Sequence, residues 1–108
     1  MLLPVNAAML DACVLATLEK GDTYGYRITQ QIKQELDLSE STLYPVLRRL
    51  QKNGLLTTYD EPFNGRNRRY YQVTGEGRRR LALYRAEWNA YTDKIDRLLK
   101  EDVPHESP

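Results

Sequence analysis

Ser39-Glu40-Ser41-Thr42-Leu43-Tyr44-Pro45-Val46-Leu47-Arg48-Arg49-Leu50-Gln51-Lys52-Asn53-Gly54 reads as a helix with hydroxyls in its first turn and an inward stripe of Leu43, Val46, Leu47 and Leu50. Pro45 has no N–H for an interior helical hydrogen bond. The helix therefore either bends near its first turns, capped by Ser39, or starts later, capped by Ser41. Asn53-Gly54 ends it, since glycine readily takes the left-handed conformation that closes a last turn. Leu55 to Glu61 and Arg68 to Thr74 follow, rich in tyrosine, threonine, leucine and valine, with Pro62-Phe63-Asn64-Gly65 between them, and this predicts a hairpin. A two-stranded ribbon is marginal alone, so it must lean on the helices as a wing.

Upstream, Leu10, Cys13, Val14 and Leu18 keep helical spacing between Ala7 and Leu18, and Gly21-Asp22 stops the run. A second helix is expected from Tyr24 to Leu36, with Tyr24, Ile28, Ile32 and Leu36 inward and Asp22 or Thr23 as cap. Downstream, Thr74 can cap a long helix running to about Lys100. Its apolar positions, Leu81, Tyr84, Trp88, Tyr91, Ile95 and Leu98, alternate steps of three and four, the pattern of a helix with a partner helix. The same face can instead pack back on the first helix, and both arrangements can hold together. The predicted fold is mainly α with a two-stranded β wing: a winged helix-turn-helix over residues 1–74, a dimerisation helix over 75–101 and a flexible tail over 102–108.

With 108 residues the chain has the size of one domain. Its lone cysteine, Cys13, sits among apolar neighbours and suits packing, while His105, the lone histidine, lies in the polar tail. Neither a metal cluster nor a nucleophile and base pair is present, so no cofactor is expected and an enzyme is disfavoured. No stretch approaches the roughly 18 to 20 apolar residues of a membrane span, and the N-terminus lacks a signal-peptide pattern, so the expected location is the cytoplasm. The net charge of +1 conceals an uneven distribution: residues 1–47 carry −3, residues 48–80 carry +6 and residues 81–108 carry −2. A basic middle between acidic ends fits one face turned to a polyanion.

In a winged helix-turn-helix the third helix enters the major groove. Ser39, Ser41, Thr42, Tyr44 and Arg48 are the groups placed to reach base edges or nearby backbone, and Arg48 is the strongest, since an arginine pairs with both acceptors of a guanine. Ser39 serves equally well as a helix cap, and Arg49 faces solvent or phosphate. Arg66, Arg68 and Arg69 make a cationic, carboxylate-poor hairpin tip suited to phosphates, with Tyr70 or Tyr71 close to the same surface. Trp88 is an interface anchor in the heptad face, and two copies facing across a gap would hold a flat aromatic ligand between them. A protein-interaction adaptor that uses the head and long helix without reading DNA is the rival reading.

Tyr24-Gly25-Tyr26, the Ser39 to Leu50 helix with its Thr42-Leu43-Tyr44-Pro45 core, Asn53-Gly54-Leu55-Leu56, and Gly65-Arg66-Asn67-Arg68-Arg69-Tyr70-Tyr71-Gln72-Val73-Thr74 together resemble the PadR family of bacterial transcriptional regulators. The match spans roughly residues 10 to 80. The resemblance implies a homodimeric repressor on an inverted-repeat operator in double-stranded DNA. The final helix would then form the dimer with helix one, bringing Leu10 and Val14 into the interface beside Leu81, Tyr84, Trp88, Tyr91, Ile95 and Leu98. The single final helix is similar to the short subfamily, some of whose members bind planar hydrophobic compounds at the dimer interface, in cases between paired tryptophans, while others respond to phenolic acids, and Trp88 falls in the matching part. Asn67 departs from the family's frequent proline.

Overall fold

The computed structural model describes residues 6–100. Helix α1 (Ala7–Glu19) is started by Asn6, whose side chain accepts a hydrogen bond from the Met9 N–H at 2.9 Å. Its inward face is Leu10, Val14, Leu15 and Leu18. Next come strand β1 (Thr23–Tyr24), helix α2 (Gly25–Lys33), helix α3 (Glu40–Lys52), strands β2 (Leu56–Phe63) and β3 (Arg66–Val73), and helix α4 (Gly75–Leu99). The expected tail at 102–108, with His105, lies outside the described residues.

The mainly α fold with its two-stranded wing, β2 and β3, is as expected, and three details differ. The sheet has three strands in the order β1-β3-β2, because Thr23 and Tyr24 pair antiparallel with Tyr71 and Tyr70. Those two residues are thus a strand instead of the cap and first turn of the second helix, which is shorter than Tyr24 to Leu36 and has no side-chain cap. The hairpin is longer than expected and its turn is only Asn64-Gly65: φ is +53° and +78° there, the pair of left-handed residues that a two-residue primed turn demands. Pro62 belongs to the strand, tolerable because β2 is an edge.

Helix α3 starts at Glu40 and carries Pro45 inside it, so of the two starts the earlier one is adopted. Pro45 is exposed and leaves only the carbonyl of Ser41, one residue into the helix, without its usual donor. At the other end Leu55 N–H donates to the Leu50 carbonyl and Gly54 N–H to that of Gln51, the paired bonds that stop a helix cleanly.

The core lies where α1, α2 and α3 meet the base of the hairpin: Val14, Leu15, Ile28, Leu43 and Leu47 are fully buried, with Leu50, Leu55, Leu56 and Val73 beside them. Each such aliphatic side chain contributes roughly 1.5–3 kcal/mol. Helix α4 joins this core only through its first turns. Thr74 accepts from the Gly77 N–H at 3.0 Å and donates to the Gly54 carbonyl at 2.7 Å, tying the end of α3 to the start of α4. Gly77 is seated directly on the hairpin base: a Cβ there would overlap the carbonyl oxygen of Leu55 and lie 2.7 Å from Val73 Cγ2. Beyond Leu81, which is buried, and Tyr84, half-buried on the core, the helix projects away.

Candidate nucleic-acid interface

Opposite its buried stripe, α3 exposes Ser41, Pro45, Arg48 and Lys52 at helical spacing. At its start the Ser39 hydroxyl caps no backbone N–H; it lies 2.9 Å from the Ser41 hydroxyl and 3.0 Å from that of Thr42, and all three residues are exposed. A cluster of hydroxyls that bond chiefly to one another can turn donors or acceptors outward. Tyr44 is placed differently. Its ring is half-buried against Gly25 and the core, and burial, followed by the charge of Glu40, raises its phenol above the ordinary value. Arg49, expected to face solvent or phosphate, reaches back and pairs with Asp11 of α1. Asp11 also accepts from the Tyr84 hydroxyl of α4 at 3.4 Å, so one carboxylate touches three helices.

The hairpin register separates the wing arginines. Arg66 and Arg69 are exposed, whereas Arg68 is half-buried: its guanidinium carbon lies 3.7 Å from the centroid of the Phe63 ring and 4.0 Å from that of Tyr24. Cation–π contacts of this kind are worth roughly 0.5–2 kcal/mol. The tip is also less free of carboxylates than the linear sequence suggests. Asp60 stands opposite Arg69, with a 4.0 Å ion pair, and Glu61 opposite Arg68. Tyr71 turns inward onto the core, while Tyr70 lies on the outer face of the sheet, stacked on Tyr59 at 5.6 Å and edge-on to Tyr24 at 5.8 Å. The Tyr59 hydroxyl donates to Asp22 at 2.8 Å, and Gln72 donates to the same carboxylate at 3.1 Å.

Known proteins share this short winged helical head with a hydroxyl-lined third helix, an arginine-bearing hairpin and one long final helix. The sequence profile of the transcriptional regulator PadR-like family matches residues 14–83. The chain belongs to that family. It is similar to the crystal structure of smu.1704 from Streptococcus mutans UA159, at 40% identity, with 98% of this chain and 100% of that one covered and a TM-score of 0.86. A PadR family transcription regulator from Clostridium difficile R20291 is 31% identical over 83% of this chain and 97% of its own, with a TM-score of 0.77. The transcriptional regulator Rv3488 of Mycobacterium tuberculosis is 38% identical over 61 residues, 56% of this chain and 57% of that protein.

PadR membership fixes the class of activity as transcriptional regulation. It also frames α4 of this PadR-like chain, where Trp88, Tyr91, Leu83, Leu98 and Leu99 are exposed and the Trp88 and Tyr91 rings lie 6.3 Å apart. Of the positions expected at a dimer interface, Leu10, Val14 and Leu81 are 6%, 0% and 1% exposed within the single chain, where they contribute to its core. Tyr84 and Ile95 are half-buried. The cations at the start of α4 are partly used internally: Arg78 and Arg85 approach Glu19 of α1 at 4.0 and 2.9 Å, and Arg79 pairs with Glu76. Cys13 is half-buried, and burial pushes its thiol above the ordinary value, as suits packing. No helix among the described residues is long and apolar enough to cross a membrane.

Reading the sequence missed Asp11, Tyr24, Tyr59 and Phe63 as parts of this region. A signal existed for the last two. With Asn64-Gly65 taken as a two-residue turn, counting outward pairs Phe63 with Arg66, Glu61 with Arg68 and Tyr59 with Tyr70.

Proposed function

We propose that the chain is a homodimeric repressor of the PadR type that binds an inverted-repeat operator in double-stranded DNA and leaves it when a planar aromatic molecule binds. The observation that carries this reading is the exposed start of α3, where Ser39, Ser41 and Thr42 stand together with Arg48 two turns further along the same exposed side. Hydroxyls and a free arginine are the groups that meet base edges in a major groove. Exposed Arg66 and Arg69 on the wing suit phosphate contacts.

Residues 1–74 form the reading head and 75–101 the dimerisation helix in this proposal. The exposed face around Trp88, Tyr91 and Leu98 supports self-association, with Tyr84 and Ile95 at its margin. A two-fold axis would hold two third helices about one DNA turn, roughly 34 Å, apart. Trp88, half-exposed beside Tyr91, offers a flat surface for an aromatic effector.

The test is a mobility-shift titration on the DNA upstream of the protein's own gene, over a range of salt. Arg66→Glu with Arg69→Glu should weaken binding on every sequence and flatten the salt dependence, by about one unit of slope per lost phosphate contact. Wild-type affinity in that double variant overturns the wing assignment. Planar dyes should quench the fluorescence of Trp88, the lone tryptophan, and release the DNA; an unquenched dimer at saturating dye removes the effector from the proposal.

A further inference from the structure

We propose that Arg68 is a clasp that sets the angle of the wing: a positioning residue for DNA reading, and not one of the phosphate ligands. The proposal rests on the DNA-binding reading above. Its starting point is the shape of the sheet. Strand β1 ends at Tyr24, opposite Tyr70, so from Arg69 outward β3 has only β2 beside it. The tip is a two-stranded overhang, and such ribbons do not hold their own shape.

Arg68 lies at the root of that overhang, on the central strand, and touches a ring on each side of it. Tyr24, 4.0 Å away, belongs to β1 and immediately precedes α2, so it is fixed to the head; Phe63, 3.7 Å away, adjoins the Asn64-Gly65 turn, so it is fixed to the tip. The guanidinium therefore joins head to tip through contacts that need no water. Behind it the contact continues inward: Tyr24 meets Tyr70 edge-on, Tyr70 stacks on Tyr59, and the Tyr59 hydroxyl bonds Asp22 in the turn after α1. Arg66 and Arg69, by contrast, are exposed, and Arg69 faces Asp60 at 4.0 Å. Glu61 stands opposite Arg68 in register, on the same face of the hairpin.

The experiment compares wild type, Arg66→Gln, Arg68→Gln, Phe63→Leu and the Arg68→Gln/Phe63→Leu double variant on one promoter duplex across a salt series. Arg68→Gln and Phe63→Leu should each weaken binding about two- to tenfold at every salt concentration, with unchanged salt slope, and the double variant should be no weaker than the worse single. Arg66→Gln should instead lower the slope by about one. A slope lowered by about one in Arg68→Gln, or wild-type affinity in that variant, overturns the clasp. A readout without DNA separates this from failure of the DNA reading itself. In free wild-type protein the Arg68 Cδ protons should be shifted upfield by the two rings, and Phe63→Leu should remove part of that shift. Unshifted protons overturn the clasp even if DNA binds, whereas shifted protons in a protein that binds no duplex leave the clasp in place and remove the DNA reading.

Discussion

Tyr59 shows how one side chain can link distant parts of a small sheet. It stacks on Tyr70 within the hairpin and donates its hydroxyl to Asp22, in the turn between α1 and β1. That hydrogen bond, helped by the partial burial and negative charge around it, raises its phenol from the ordinary 10.0 to about 12. The neutral phenol is therefore favoured in the folded chain over the unfolded one. The contribution is complete below about pH 10 and is lost as pH rises from 10 to 12. Thermal unfolding followed across that interval should show wild type losing stability more steeply than Tyr59→Phe, which keeps the ring and lacks the hydroxyl; parallel curves would mean that the bond to Asp22 does not persist in solution. Asp22 itself looks, in sequence, like a helix cap, because Asp-Thr before an apolar run is the ordinary signal for one. Only the folded hairpin brings Tyr59 and Gln72 to it.

Elements with their own periodicity were legible, and elements that exist by virtue of a neighbour were not. The stripe of Leu43, Val46, Leu47 and Leu50 located α3 because each residue reports the same face, and Asn53-Gly54 located its end. Strand β1 is two residues long and has no period to read; it forms because the free edge of β3 accepts it. The paired register of the wing was hidden by reading Pro62 as a turn residue, which shortened both strands and left Asp60, Glu61 and Phe63 without the arginines that they face. The exposed hydroxyls and arginines of the candidate site were legible by type and spacing, whereas the partners that withdraw Arg49, Arg68 and Tyr44 from the surface depend on contacts far apart in the chain. Asp11 is the clearest such partner, since it receives Arg49 of α3 and Tyr84 of α4. Arg49 is two-fifths exposed, so solvent screens the pair. Asp11→Ala should cost about 1 kcal/mol and lower the Tm by roughly 4–8 °C, and Tyr84→Phe should cost less than half as much. Equal Tm values for Asp11→Ala and wild type in calorimetry would show that the three-helix contact is not maintained.

Over the described residues the protein is far from spherical. Its extents are 70 × 28 × 20 Å and its radius of gyration is 17.6 Å, where a globule of this length would have about 12–13 Å. The excess comes from α4, whose later turns carry Trp88, Tyr91, Leu98 and Leu99 exposed on a helix that touches the core only near its start. A helix unsupported over that length is marginal in water. If a second copy supports it, as proposed, the Tm and the helical signal must rise with protein concentration, because association adds to the stability of the folded form by mass action. Calorimetry and circular dichroism over a hundredfold dilution would check this; a Tm independent of concentration across that range, with a monomeric mass throughout, would remove the dimer. The seat of Gly77 on the Leu55 carbonyl gives the projecting helix mechanical meaning. Backbone rests on backbone there, with the Val73 side chain alongside, and about 33 Å of helix lies beyond it. The anchorage continues through Leu81 to Tyr84 and Arg85 on α1, and the roughly 21 Å beyond forms the long arm of a lever: a tilt of about 10° there would carry the far end of α4 through roughly 4 Å. If an effector acts at Trp88 as proposed, a small adjustment there would reach the head as a change of angle more than of distance.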